Sequence, residues 1–204
     1  MIHSSVMEQL PYVVGLSGGI GSGKSTVAKI FESIGIPVYY SDERAKQLYY
    51  VPEIKVKVKD FLGKKAYLSD GKINRKFISD VVFSDTDKLE KLNALLHPFV
   101  KEDFKIWLQE KNQYPYVIKE SALLFETGLF VDCFKNIVVN CPTELRINRV
   151  INRDKVSRQE VLNRIKFQMP EEKKLEMGGI EFKNNEEVFL IDQVLRFHEN
   201  MLNS

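Results

Sequence analysis

Short apolar runs alternate along the chain with longer stretches whose apolar residues recur every three or four positions, the pattern of a parallel sheet covered by helices. The first run, Tyr12-Val13-Val14-Gly15-Leu16, predicts a buried strand that leads into a glycine-rich turn. Val27, Ile30, Phe31 and Ile34 then fall at i, i+3, i+4 and i+7, which predicts a helix stopped by Gly35. A second strand is expected at Pro37-Val38-Tyr39-Tyr40, ending at Ser41-Asp42, with further strands at Tyr116-Val117-Ile118 and Ile137-Val138-Val139. This order predicts an α/β fold built on a small parallel sheet.

Roughly seventy residues separate the second and third strands, more than a crossover helix needs, so an inserted helical region is expected. Its clearest piece runs from Leu89 through Leu92, Leu96 and Phe99 to Trp107, with Pro98 marking a kink or the first turn of a new helix. Thr143 to Arg153 reads as helical, and Ser157-Arg158-Gln159-Glu160 is a capping-box signature opening another helix. A closing helix carries Val188, Ile191, Val194 and Leu195 on one face.

With 44% hydrophobic and 28% charged residues the chain can bury a core, and disorder is excluded as its general state. A net charge of +2 is too small for the broad cationic surface of sequence-independent nucleic-acid binding and leaves small anionic ligands as the expectation. Cys133 and Cys141 match neither a disulfide framework nor a zinc pattern and read as free thiols in a reducing compartment. Met1 to Leu10 lacks the pattern of a signal peptide, with both Met1 and Met7 available as starts, and no stretch nears the ~18 apolar residues of a membrane span. A soluble cytoplasmic protein is expected.

Gly18-Gly19-Ile20-Gly21-Ser22-Gly23-Lys24-Ser25 matches G-x-x-x-x-G-K-[ST] between a predicted strand and a predicted helix, the context this phosphate loop requires. Glycines let backbone N–H groups approach phosphates, and the helix beginning at Lys24 and Ser25 turns its positive dipole end toward them. Gly19, Gly21, Ser22, Gly23, Lys24, Ser25 and Thr26 are therefore the expected ATP-binding set, with Lys24 spanning the β- and γ-phosphates and the Ser25 hydroxyl ligating Mg²⁺. Asp60-Phe61-Leu62-Gly63 imitates a GTPase D-x-x-G, yet no guanine-reading N-K-x-D occurs. Leu16-Ser17-Gly18-Gly19 imitates a transporter signature but overlaps the phosphate loop itself. Small-molecule kinases remain, and these need an acceptor site and a lid that excludes water.

Asp42 follows the second strand, at the carboxyl edge of a parallel sheet, where it could accept the proton of an acceptor hydroxyl or cap the next helix. Arg146, Arg149 and Arg153 recur at spacings of three and four, as a phosphate clamp or as a solvated helix face. His97 has no partner at metal-ligand spacing and suits a cap, a packing role or a substrate contact. Glu120, at a strand end, could orient the magnesium shell or the acceptor, or lie on the surface, and Glu126 is a weaker candidate of the same kind.

Together these segments resemble the dephospho-CoA kinase family from Val13 to about Leu195. Ser17 to Thr26 looks like the family's T-G-G-I-G-S-G-K-S-T, and Leu92-Asn93-Ala94-Leu95-Leu96-His97-Pro98 like its L-N-x-L-x-H-P, the most discriminating piece. Leu123-Leu124-Phe125-Glu126 is similar to P-L-L-F-E, Arg149 to Asp154 to R-x-x-x-R-D, and Gln168-Met169-Pro170 and Asn184 to its later Q-M-P and D-N signatures. Departures are Ser17 for threonine, Lys46 for arginine, Glu120 for aspartate, Ala122 for proline and Lys183 for the aspartate before Asn184.

The resemblance implies a three-layer P-loop core (12–50, 115–145 and 180–204), a helical acceptor region (51–114) and a short helical lid (146–179). It implies ATP and Mg²⁺ as co-substrates and dephospho-CoA as the small-molecule partner, with neither nucleic acid nor membrane. Asp42 would activate the ribose 3′-hydroxyl, His97 would belong to the acceptor region, Arg149 and Arg153 would act from the lid, and Asn184 would lie near adenine. Alternatives are another nucleoside or nucleotide kinase, or a non-catalytic nucleotide-binding regulator that would keep Lys24 without needing Asp42 or the lid arginines.

Overall fold

A computed structural model describes residues 10–83 and 85–203, apart from the side chains of Phe83, Thr86, Leu89 and Asn93. Residues 1–9, on which most of the signal-peptide expectation and both candidate starts fall, lie outside the described residues, as does the predicted packing of the Leu89 side chain.

Five strands, β1 (Tyr12–Ser17), β2 (Val38–Tyr40), β3 (Tyr116–Glu120), β4 (Lys135–Asn140) and β5 (Ile180–Lys183), form one parallel sheet in the order β2-β3-β1-β4-β5. All five residues of β3 are buried, because a central parallel strand is covered on both faces and cannot alternate apolar with polar. On one face Val14, Leu16, Tyr116, Ile118, Ile137 and Val139 pack against Val27, Ala28 and Phe31 of α1 (Lys24–Ser33). On the other, Val138 packs with Leu124 and Phe125, joined by Met169 and Leu175. The register sets Leu16 of β1 between Glu120 of β3 and Ile137 of β4, so the carboxyl ends of the central strands finish together. β5 is an element that the apolar runs do not predict.

The helical unit Ser41–Trp107 has its own core and begins at Ser41 rather than at residue 51. It contains α2 (Ser41–Leu48), α3 (Pro52–Leu62), α4 (Arg75–Phe83) and most of α5 (Thr86–Gln109). Ile54, Val58, Ile78, Val82, Leu92 and Leu96 are buried together, and the Tyr67 hydroxyl donates to the Tyr49 carbonyl at 2.7 Å. Arg44 clasps Asp103 through two hydrogen bonds of 2.8 and 2.9 Å, tying α2 to α5. Pro98 lies inside α5, which continues through it as one helix rather than starting anew.

The described residues of Met1–Tyr40 and Leu108–Ser204 make the second unit, which holds the sheet. After β4 come α6 (Thr143–Asp154), α7 (Arg158–Lys166) and α8 (Glu171–Glu176). The capping box forms as predicted: Ser157 Oγ accepts from the Glu160 N–H, and Glu160 Oε2 accepts from the Ser157 N–H. The closing helix α9 (Leu190–Leu202) corrects one expectation. Of the predicted face only Val194 is buried, while Val188, Ile191 and Leu195 are exposed. The buried stripe runs instead through Val194, Phe197 and Met201, whose i, i+3, i+7 spacing points one helix face at the core. Phe197 explains the choice, since its ring meets Phe31, Tyr116 and Phe182 edge-to-face at 6.1, 6.5 and 5.9 Å.

Phe197→Ala should therefore cost about 3–5 kcal/mol of stability through the cavity it leaves. Ile191→Ala, at a side chain 55% exposed, should change stability by no more than about 0.5 kcal/mol. Urea unfolding followed by far-ultraviolet circular dichroism measures both, and equal losses would contradict this placement of the helix.

Candidate functional site

The carboxyl end of β1 runs directly into the phosphate loop, and α1 begins at Lys24. Gly21 and Gly23 have φ of 77° and 97°, where a side chain is strained. At both positions space is also closed: a Cβ on Gly21 would lie 2.6 Å from the Arg146 carbonyl oxygen, and one on Gly23 would lie 2.1 Å from Asn184 Nδ2. Gly23 is the N-cap of α1 and supplies no side-chain acceptor, so the first-turn N–H groups lack the usual protein cap. That leaves an anion-binding helix start. Ser17 Oγ and Ser22 Oγ are buried beside it without hydrogen-bond partners among the described residues.

Lys24 forms an ion pair with Glu120, both side chains being largely shielded from water. The parallel register explains the meeting, because Glu120 ends β3 opposite Leu16, just before the loop begins. A buried carboxylate thus neutralises the lysine that this motif presents to phosphates. Ser25 and Thr26 are exposed in the first turn of α1.

Asn184 follows β5, and its side-chain Nδ2 donates to the Ser22 carbonyl at 2.7 Å. Its backbone N–H bonds the Asn140 carbonyl at the end of β4, so sheet and loop are joined through one residue. The three arginines of α6, alike in spacing, have three different surroundings. Arg146 is 3% exposed, with Nε donating to the Ile20 carbonyl at 3.0 Å and Nη1 paired with Glu171 at 2.8 Å. Arg149 is half-buried, donating to Cys141 Sγ at 3.3 Å and reaching Glu186 at 3.5 Å. Arg153 is exposed and bonds Asp154, which also accepts from Arg164 of α7 at 2.9 Å. The Arg153 hydrogen bond is the main cause holding the Asp154 carboxyl below its ordinary range, despite opposing desolvation. Burial pushes the Cys141 thiol up, with Arg149 and Arg146 pulling the other way, so it is kept as a neutral thiol rather than a reactive thiolate.

In the helical unit, Asp42 is exposed in the first turn of α2 and His97 is exposed on α5, directly after buried Leu96. Leu92 and Leu96 of the discriminating Leu92 to Pro98 segment are thus core residues, while His97 is exposed. The structure also brings two residues to the phosphate loop whose contact with it the sequence does not reveal, Glu171 and Gln168, which accept from the Gly19 and Ile20 N–H groups at 2.9 and 2.8 Å. The Q-M-P signature and the lid expectation over 146–179 point to that segment but not to its contact with the loop.

A family model described as dephospho-CoA kinase matches residues 12–189. The dephospho-CoA kinase of Bacteroides fragilis strain YCH46 is 37% identical over 185 residues, covering 89% of each chain. A solved structure from Thermus thermophilus is similar with a TM-score of 0.86 and 32% identity, covering 95% of this chain and 99% of that one. A dephospho-CoA kinase structure from Campylobacter jejuni shares the fold, with a TM-score of 0.66 at 24% identity over 93% of this chain and 96% of that one.

Lys24→Met should abolish ATP binding by calorimetry and also destabilise the protein by about 3–5 kcal/mol, because Glu120 is left buried without its partner. Adding Glu120→Gln should recover most of the stability and none of the binding. Recovery of ATP affinity in the double variant would show that Lys24 does not serve the nucleotide.

Proposed function

This chain belongs to the dephospho-CoA kinase family, and on that premise we propose that it transfers the γ-phosphoryl group of ATP to the ribose 3′-hydroxyl of dephospho-CoA, giving CoA and ADP in the last step of CoA biosynthesis. The observation that carries the reading is the uncapped start of α1 behind Gly21 and Gly23, with Lys24 held at its mouth by Glu120. Phosphoryl transfer has little covalent chemistry for a protein to perform, so the work lies in positioning and in charge stabilisation.

Backbone N–H groups of the loop hold the phosphates, and Lys24 exchanges the Glu120 carboxylate for phosphate oxygens. The attacking 3′-oxygen forms its bond to the γ-phosphorus as the bond to the β-bridging oxygen breaks, and Asp42 takes the hydroxyl proton. Exposure of Asp42 in the first turn of α2 favours that assignment. Arg149 and Arg153 act from the lid segment 146–179 on the transferring phosphoryl group, releasing acidic partners that are themselves solvent-exposed or at the surface. His97 contacts the acceptor in the region 51–114, and Asn184, whose side chain also holds the Ser22 carbonyl, lies near the adenine.

Magnesium suits the available donors, an exposed Ser25 hydroxyl and the Glu120 carboxylate, because that ion takes few protein oxygens and otherwise keeps water and substrate phosphates. When bound it would neutralise charge developing on the phosphates. A cytoplasmic setting and the absence of a nucleic-acid partner belong to the same proposal, supported by two free cysteines and the near-neutral charge. Among the described residues no helix is long and apolar enough to cross a membrane.

ADP release measured with dephospho-CoA, AMP and adenosine as acceptors tests the assignment. Dephospho-CoA alone should stimulate release, and stimulation by AMP or adenosine alone would replace the acceptor. Asp42→Asn should keep ATP binding while lowering turnover by ~10²–10⁴-fold, the usual contribution of a positioned base. Turnover close to the parent's would remove Asp42 from that role.

A further inference from the structure

We propose that Glu171 is a positioning residue for the ATP site, the central member of a neutral strut that fixes the first half of the phosphate loop before any nucleotide arrives. Glu171 is 7% exposed, and its carboxylate is shared between two partners, with Oε1 accepting from the Gly19 N–H at 2.9 Å and Oε2 paired with Arg146 Nη1 at 2.8 Å. Arg146 returns to the same loop, donating from Nε to the Ile20 carbonyl at 3.0 Å. Gln168 Oε1 accepts from the Ile20 N–H at 2.8 Å. The strut therefore binds two successive N–H groups of the loop and the Ile20 carbonyl.

The electrostatics account for the pairing. A carboxylate beside a phosphate site repels the ligand unless its charge is cancelled, and buried Arg146 cancels it. A charge-assisted bond to a backbone N–H then costs nothing in phosphate affinity. The strut also explains Gly19, where a Cβ would lie 2.1 Å from Arg146 Nη2 and 2.3 Å from Glu171 Oε1.

The strut is anchored at its far end. The Met169 N–H donates to Glu126 Oε1 at 2.8 Å, and Lys174, fully buried, lies 3.0 Å from the same oxygen as an ionic contact. Glu126 sits in the segment after β3, so residues 168–174 are tied to the sheet's carboxyl side on one end and to the phosphate loop on the other. The Ser22 N–H is bonded within the loop to the Gly19 carbonyl at 3.0 Å, so satisfying Gly19 and Ile20 from the strut leaves N–H groups such as those of Gly21 and Gly23 to meet ATP. Preorganisation of this kind lowers the ordering cost of binding.

The proposal rests on the loop being the ATP site, which titration of the parent protein with ATP checks independently. Parent protein that fails to bind ATP removes that reading. Parent protein that binds, alongside a Glu171→Ala variant that binds equally well, removes only this proposal. The strut predicts that Glu171→Ala raises KM for ATP by about ten- to a hundredfold, the loss of one or two charge-assisted hydrogen bonds, with KM for dephospho-CoA within about twofold of the parent's. Glu171→Gln keeps an acceptor for the Gly19 N–H and should restore part of the ATP affinity. Gln168→Ala, which leaves the ion pair intact and guards against a Glu171 variant that fails to fold, should raise KM for ATP about fivefold. The Arg146→Ala/Glu171→Ala double variant should be no worse than the worse single variant, since the two act as one unit. Equal rises in both KM values, or additive losses in the double variant, would overturn the strut and leave only general destabilisation.

Discussion

A helix that starts without a side-chain cap leaves polar N–H groups facing outward, and in this protein those of α1 stand at the carboxyl edge of a parallel sheet. Most of what surrounds them follows from that one constraint. The backbone must come close to a ligand, so Gly21 and Gly23 take left-handed conformations in spaces too small for a Cβ. It must also stay open without a ligand present, so neighbouring peptide groups are bonded to Glu171, Gln168, Arg146 and Asn184.

Charge is balanced around the loop in the same spirit. Lys24 meets Glu120, and Arg146 meets Glu171, so a largely shielded cation and a buried one each have a buried anion. The pairs differ in purpose. Lys24 belongs to a loop of the phosphate-binding pattern, so under the proposed function its carboxylate is the partner that would yield to the nucleotide. Arg146 is bonded to a loop carbonyl as well as to an acid, and its commitment is structural. Arg149 and Arg153, on the same helix, face more exposed acids than Arg146 does.

Local pattern made the core legible and long-range pairing did not. The strand, loop and helix from Tyr12 to Ser33 are contiguous, and apolar periodicity and a phosphate motif coincide there. β5 escaped because Ile180-Glu181-Phe182-Lys183 is an edge strand with Phe182 as its only buried residue, too little burial to write an apolar run. Residues 188, 191 and 195 of the closing segment are apolar yet exposed, so periodicity chose the wrong face, and only the ring contacts of Phe197 decide it. Arg146 could not be separated from Arg149 and Arg153 by spacing. Its distinction comes from Glu171, whose other contact, Gly19, is 152 positions away in the chain. The acceptor signature Leu92 to Pro98 was visible as a resemblance, and the structure divides it into buried leucines and an exposed histidine.

The central claim is that a phosphoryl group passes from ATP, held at this loop, to one particular hydroxyl. Phosphorus NMR of the product formed from ATP and dephospho-CoA tests it most directly. The account predicts a new phosphomonoester signal coupled to the ribose H3′ proton, with the diphosphate bridge of dephospho-CoA unchanged. A monoester at the 2′ position, a lengthened phosphate chain, or ADP formed with no phosphorylated acceptor would contradict it.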